Sequence, residues 1–155
     1  KGFIFFGLIK VKDDPYVIEY NVRLGDPEAE SVIPRIKTDL LDLFEGVANG
    51  NIGEKTIGID SRYAASIFLV SGGYPGSYEK GKAMTGMGKT ENCMLFHAGT
   101  KTIESGQIVT NGGRVLAITS MGESMQEALK NSYENVEKIN FDGKYFRRDL
   151  GKDLM

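Results

Sequence analysis

The segment 19–23 (Glu-Tyr-Asn-Val-Arg) holds the residues whose types and spacing best suit chemistry. Side chains alternate along a β-strand, so Glu19, Asn21 and Arg23 would share one face. Carboxylate and amide oxygens are hard ligands that suit Mg²⁺, and a guanidinium beside them suits a transferring phosphoryl group or a bound carboxylate. Spacing alone favours the simpler interpretation of a solvated strand face, because polar residues commonly alternate on exposed strands.

Two strands, a loop and a helix are predicted around this segment. Residues 2–12 and 16–21 have the apolar character of strands, and the tripeptide 13–15 (Asp-Asp-Pro) is typical of a turn. A loop follows over 22–28, and a helix is predicted over 38–48. Apolar residues recur in that helix at three- and four-residue spacing: Leu40, Leu41, Phe44 and Val47.

A change of composition indicates a boundary near residues 46–57, which are rich in Gly and Asn. We therefore predict two parts, residues 1–48 and residues 49–155. Further strands are predicted in the second part, over 64–71, 94–98, 107–110 and 114–120. Asn111-Gly112 predicts a hairpin between the last two, because both residues tolerate positive φ.

A second long helix is predicted over 124–139. Ser124 and Glu127 have the spacing of a capping box at its start, and an apolar stripe follows. Strands followed by helices indicate an α+β fold.

The bulk composition excludes several functional classes. The 155 residues include 19 basic and 21 acidic side chains, so a net charge of −2 gives no electrostatic reason to expect nucleic acid or an anionic membrane. No apolar run approaches the roughly 18 residues needed to span a bilayer. Cys93 is the only cysteine, which favours a cytoplasmic location. The chain enters a strand-like run directly after Lys1 and Gly2, and we expect it to be a fragment of a larger fold.

The run 19–30 (EYNVRLGDPEAE) resembles the signature of the phosphoribosylamine–glycine ligase family, also called glycinamide ribonucleotide synthetase. Its Glu-x-Asn-x-Arg part resembles the wider ATP-grasp superfamily, and the following Gly-Asp-Pro-Glu narrows the resemblance to this family. Further similar segments run to the end of the chain: 71–75 (SGGYP), 96–100 (FHAGT), 111–116 (NGGRVL) and 145–151 (YFRRDLG). The resemblance covers nearly the whole chain and corresponds to the last third of the family's usual length.

The resemblance implies a fold and an activity. Residues 1–48 would be the C-terminal portion of an ATP-grasp domain, with antiparallel strands plus a helix, and 49–155 a small mixed β/α C-terminal domain. Family members join glycine to 5-phosphoribosylamine in de novo purine biosynthesis, through a glycyl phosphate, while ATP becomes ADP and phosphate. The implied partners are these small molecules and upstream domains of the same parent chain. The isolated chain is then expected to be inactive.

The resemblance also assigns roles to residues. Glu19 and Asn21 match the family's ligands for Mg²⁺ or Mn²⁺, and Arg23 matches the catalytic residue that stabilises the transferring phosphoryl group. Gly25 is expected to let the backbone turn closely beside the substrate. Asp26 either contacts the substrate or caps its own Asp-Pro turn.

Other residues leave alternatives open. Arg114 either reaches the ribose phosphate of the substrate or forms a structural ion pair. His97, the only histidine, is expected to be structural, and Cys93 a small buried hydrophobe. The glycines of 72–76 predict a turn and not a phosphate-binding loop, because they lack the combined strand–loop–helix context and the Lys-Ser/Thr ending of such a loop.

Two other functions remain open from the sequence. One is a different ATP-grasp carboxylate–amine ligase or carboxylase, against which Gly25-Asp26-Pro27-Glu28 argues. The other is a non-catalytic interaction module, if no upstream domains exist.

Overall fold

The computed structural model describes residues 1–154, which form two compact units, Lys1–Asp60 and a second unit that starts at Ser61. Both units combine antiparallel strands with helices, which confirms the α+β prediction. The division lies later in the chain than the predicted boundary at 48/49. Residues 49–60 stay with the first unit, because Ile36 and Ile59 form a β-bridge and the Arg35 guanidinium donates to the Asp60 carbonyl oxygen.

The first unit begins with an antiparallel hairpin, β1 (Phe5–Val11) and β2 (Asp14–Asn21). Its turn is Lys12-Asp13, with Lys12 in the left-handed region at φ 57°. The predicted turn over 13–15 is therefore wrong in its position. Asp14 and Pro15 already lie in β2, where they pair with Val11 and Lys10 of β1.

The hairpin exposes apolar side chains on both of its faces. Their exposed fractions run from 47% for Val11 to 90% for Val22, which follows directly after β2. The exposed set is Ile4, Phe6, Leu8, Ile9, Val11, Tyr16, Val17, Ile18, Tyr20 and Val22. This set is called the hairpin patch below.

Two helices follow the hairpin. The short helix α1 (Ala29–Val32) leads into a single 3₁₀ turn at Ile33–Arg35 and was not anticipated. Helix α2 (Leu40–Ala48) lies within the predicted range. It begins where it does because the Asp39 side chain accepts a hydrogen bond from the Leu41 amide at 2.8 Å, which satisfies a free N–H of the first turn.

The second unit contains six strands and one long helix in this order: β3 (Tyr63–Ser71), β4 (Cys93–His97), β5 (Thr100–Thr102), β6 (Ile108–Thr110), β7 (Arg114–Gly122), α3 (Met125–Lys138) and β8 (Lys144–Tyr145). Four strands form one antiparallel sheet in the order β4-β7-β3-β8, and β5 and β6 form a separate two-stranded sheet. The strands predicted over 64–71, 94–98, 107–110 and 114–120 correspond to β3, β4, β6 and β7, within one or two residues at each end.

The predicted hairpin at Asn111-Gly112 is wrong. Strand β6 pairs with β5, while β7 lies between β3 and β4 in the larger sheet. The amide of Asn111 donates to the Gly99 carbonyl oxygen at 2.8 Å, and the Ser71 amide donates to the Gly113 carbonyl oxygen, also at 2.8 Å. These bonds hold the connection in a path that carries the chain from one sheet to the other.

Helix α3 begins as its capping residues predicted. The Ser124 Oγ accepts from the Glu127 amide at 3.2 Å, and the Glu127 carboxylate accepts from the Glu123 amide at 2.8 Å, one residue before the cap. The apolar side of α3 packs on β3 and β7. The buried apolar core consists of Ile67, Leu69, Met84, Val115, Leu116, Ile118, Val136, Ile139, Phe141 and Phe146.

Two polar contacts fix α3 within the unit. The fully buried Ser132 hydroxyl donates to the Ala65 carbonyl oxygen of β3 at 2.7 Å and accepts from the Ser120 amide of β7 at 2.9 Å. At the other end, the Lys144 ammonium donates to the C-terminal carbonyl oxygens of Val136 and Ile139, at 3.2 and 2.7 Å. Within the described residues, no helix is long and apolar enough to cross a membrane.

Candidate functional site at the end of strand β2

Glu19 and Asn21 lie together at the C-terminal end of β2. The Asn21 Nδ2 donates to the Glu19 Oε1 at 3.0 Å, so the two side chains occupy one face of the strand, as their spacing predicted. Both belong to an exposed strand, and Glu19 is exposed. Arg23 follows the strand, and its guanidinium donates to the carbonyl oxygen of Leu24 at 2.8 Å.

The donor atoms of this pair suit one kind of metal ion. Among residues 1–154, no group of three or more His, Cys, Asp or Glu side chains is arranged to hold an ion. Glu19 and Asn21 offer one carboxylate and one amide oxygen. Such a set fits Mg²⁺ that takes its remaining positions from phosphate oxygens and water, as it commonly does in phosphoryl-transfer sites. It does not fit a site built from protein ligands alone.

The loop after Arg23 is held by Glu28. The buried amide of Gly25 donates to the Glu28 Oε1 at 2.9 Å, and the Glu28 amide donates back to the Gly25 carbonyl oxygen at 3.2 Å. A Cβ on Gly25 would lie 2.9 Å from both the Glu28 carboxylate and the Phe5 ring. A side chain at position 25 would therefore displace the Glu28 carboxylate, which closes this turn, or the Phe5 ring. Asp26 is exposed beside the cis Asp26-Pro27 peptide bond.

Arg114, predicted to bind substrate, lies at the start of β7 in the second unit. Its guanidinium carbon is 5.4 Å from the centroid of the Phe68 ring of β3, within cation–π range. The contact with the Phe68 ring of β3 therefore helps to fix the position of the Arg114 guanidinium.

Two other residues and one segment noted in the sequence have defined local contacts. The His97 Nδ1 lies 2.8 Å from the Thr100 Oγ1, in keeping with a structural role. Cys93 is half-buried against the core of the second unit. The segment after β3 is a turn, as predicted, in which the Tyr74 amide donates to the Ser71 carbonyl oxygen at 3.0 Å.

One charged cluster was not anticipated from the sequence. Lys82 lies 2.6 Å from the Glu79 carboxylate and 3.2 Å from the Asp142 carboxylate, beside a cleft of about 140 Å³. The hydrogen bond to Glu79, followed by that to Asp142, raises the pKa of Lys82 above its usual range. The Glu79–Lys82 spacing is visible in the sequence, but nothing local indicates that Asp142 folds onto them.

The chain matches the family model described as "Phosphoribosylglycinamide synthetase, C domain" over residues 64–153. It is 38% identical over 150 residues to a phosphoribosylamine–glycine ligase from Caldanaerobacter subterraneus subsp. tengcongensis, covering 97% of this chain and 36% of that protein. It is also 40% identical over 150 residues to a bifunctional purine biosynthetic protein from Schizosaccharomyces pombe, covering 96% of this chain and 19% of that protein.

A solved structure agrees with these relatives. The crystal structure of a phosphoribosylamine–glycine ligase from Thermotoga maritima superimposes with a TM-score of 0.77 at 38% identity, covering 94% of this chain and 36% of that one. The chain thus spans about a third of the length of these two phosphoribosylamine–glycine ligases and about a fifth of the Schizosaccharomyces pombe protein. The family recognised from segment 19–30 is confirmed, and the chain belongs to the phosphoribosylglycinamide synthetase family, of which it contains the C domain.

Proposed function

We propose that this chain is the C-terminal part of an ATP-dependent ligase that joins glycine to 5-phosphoribosylamine in purine biosynthesis. Relatives at 38–40% identity are named phosphoribosylamine–glycine ligases, which supports this activity. The observation that carries the proposal is the Glu19–Asn21 pair, joined at 3.0 Å at a strand end inside the family motif. The enzyme would work in the cytoplasm.

The proposed reaction has two steps. The carboxylate of glycine takes the γ-phosphoryl group of ATP, which releases ADP and forms glycyl phosphate. The amine of phosphoribosylamine then attacks the acyl carbon, loses a proton, and expels phosphate to leave the amide. Catalysis of this kind depends on positioning and charge stabilisation, so the residues needed are those that hold phosphates and neutralise charge.

The residues of this chain would act on the phosphates. Glu19 and Asn21 would hold Mg²⁺ or Mn²⁺, which supplies positive charge between the ATP phosphates. For Asn21 this requires its amide oxygen to face the ion, while its Nδ2 keeps the bond to Glu19. Arg23 would exchange its bond to the Leu24 carbonyl oxygen for the oxygens of the transferring phosphoryl group, which its planar fork fits.

Substrate contacts are proposed for three further residues. Gly25, buried in the loop closed by Glu28, would bring backbone close to the substrate. The exposed Asp26 would contact the amine or ribose, and Arg114 would bind the ribose phosphate. In this proposal residues 1–48 form the C-terminal portion of an ATP-grasp domain, and upstream domains supply the rest of the nucleotide pocket. The isolated 155-residue chain should accordingly form no product.

The test compares three substitutions in the complete ligase polypeptide. Glu19→Gln keeps the size of the side chain but removes its charge, so kcat should fall at least about 10²-fold, which is about 2.7 kcal/mol of barrier. Arg23→Lys should also lower kcat, because a point charge cannot replace the bidentate fork. The two losses should be less than additive, since both residues act on the same phosphoryl group. His97→Gln is the control and should stay within a few-fold of wild type.

The decisive measurement is the steady-state rate against Mg²⁺ concentration for each variant. A Glu19→Gln enzyme with near-normal kcat and an unchanged metal requirement would show that the strand-end pair does not hold the ion.

A further inference from the structure

The β1–β2 ladder has one irregularity, and it lies beside Glu19. Gly7 pairs with Glu19, but the next pair joins Leu8 to Val17, so Ile18 is an extra residue in β2. Such a bulge changes the direction of neighbouring side chains and bends the strand locally. The side chain of Glu19 is therefore aimed by this irregularity as well as by strand alternation.

The missing side chain of Gly7 leaves the space that Glu19 uses. A Cβ placed on Gly7 would lie 2.9 Å from the Glu19 Cγ, closer than real Cβ atoms approach. Its other neighbours are at ordinary contact distances, 3.5 Å to the Phe5 ring and 3.6 Å to the Glu19 amide nitrogen. The overlap is thus with one side chain and not with the backbone of the ladder.

That overlap has a specific consequence for the carboxylate. The Cγ is the second atom out from the Glu19 backbone, so moving it away, by rotation about χ1 or by a shift of the strand, displaces the carboxylate as well. The hydrogen bond of 3.0 Å between the Glu19 Oε1 and the Asn21 Nδ2 depends on the present position.

We infer that Gly7 is a positioning residue, which by lacking a side chain holds the Glu19 carboxylate beside the Asn21 amide. In this inference Gly7 acts through Glu19 and not by its own contact with substrate or ion. The inference rests on the proposed function of Glu19, so its test must separate the two.

The test is Gly7→Ala in the complete ligase, with Gly53→Ala as the matched control. Gly53 lies in the same unit and has nothing within 4 Å of an added Cβ. Gly7→Ala should lower kcat about tenfold and raise the Mg²⁺ concentration that gives half-maximal rate, because small displacements of a group at the reacting centre cost up to about 10²-fold. Gly53→Ala should leave both quantities at their wild-type values.

Double substitution distinguishes positioning from a general structural effect. In a Glu19→Gln background, Gly7→Ala should add little further loss of kcat, since the group it positions has already lost its charge. An additive loss would overturn the inference. So would a Gly7→Ala enzyme with wild-type kcat and Mg²⁺ dependence, while Glu19→Gln is impaired. If Glu19→Gln is itself near normal, it is the proposed function that fails.

A folding readout decides the case if Gly7→Ala does not yield folded protein. Glu19→Ala removes the Cγ that the new methyl group would overlap, so Gly7→Ala combined with Glu19→Ala should fold and melt like Glu19→Ala alone. If the double variant also fails to fold, the overlap lies elsewhere and the inference is overturned.

Discussion

Ser132→Ala should destabilise the second unit through two hydrogen bonds. The buried hydroxyl bonds both the Ala65 carbonyl oxygen and the Ser120 amide, so it links α3 to β3 and β7. Depriving a buried polar group of its partner costs about 1–3 kcal/mol. Alanine recovers about 0.5 kcal/mol through its better helix propensity. We expect the free energy of unfolding to fall by about 2 kcal/mol. This value is near the lower end of the range for two deprived groups, because the hydrogen bonds between the strands of the sheet remain.

Thermal unfolding of the 155-residue chain measures this loss. For a unit of this size, about 2 kcal/mol corresponds to a fall in Tm of roughly 8–16 °C. Hydrogen exchange of the Ser120 amide adds a local readout and should become faster in the variant. Ser105→Ala is the control, because Ser105 is exposed in the connection between β5 and β6.

A Ser132→Ala chain that melts within about 2 °C of the control, with the Ser120 amide still protected, would refute this role of the hydroxyl. That result would mean that the hydroxyl holds neither strand, and that apolar packing alone fixes α3 on the sheet.

Three further changes have matched comparisons. Gly86→Ala should destabilise the chain by at least about 3 kcal/mol, measured by urea unfolding. The new Cβ would overlap the Lys138 carbonyl oxygen at the end of α3, and the backbone at φ 87° is strained for alanine. Gly81→Ala, with φ 80° and open space, should cost only about 1 kcal/mol, and equal losses would contradict the role of the overlap. Lys144→Met should lower stability by about 1–2 kcal/mol by uncapping α3, whereas the exposed Lys130→Met should stay within about 0.5 kcal/mol. The hairpin patch should make the 155-residue chain bind a hydrophobic dye and self-associate, and Ile9→Lys should weaken both; a concentrated chain that scatters light as a monomer would contradict this.

Local signals in the sequence identified the long elements well. The apolar spacing and the caps of α2 and α3 depend on residues only a few positions apart, so they can be read from a single sequence. The strands β3 and β7 were found for a similar reason, since both are long and apolar. The elements missed were α1 and β5, which have four and three residues and are too short to show a period.

Strand pairing was the main error, because it depends on distant residues. Asn111-Gly112 has the composition of a tight turn, yet the Asn111 amide donates to the Gly99 carbonyl oxygen and the Gly112 carbonyl oxygen accepts from the Ser71 hydroxyl. No residue close to Asn111-Gly112 in the sequence indicates that β7 pairs with the two earlier strands β3 and β4.

The candidate site was predictable in one respect only. Strand alternation placed Glu19 and Asn21 on one face, and their hydrogen bond agrees. The bulge opposite Gly7 and the closure of the Gly25 loop by Glu28 required knowledge of the register and of side-chain contacts. The three-dimensional path of the chain determines the bulge and the loop closure, and the residue types of the motif do not specify either one.

The central position of β7 has a consequence for synthesis. Its neighbours β3 and β4 precede it in the chain, so both leave the ribosome before the strand that joins them. Until Gly122 emerges, each lacks its partner and exposes backbone groups that can pair with another chain. The joining of β3 to β4 through β7 is thus a late event in vectorial folding. Helix α3 is the next element made, and β8 adds to the free edge of β3 last.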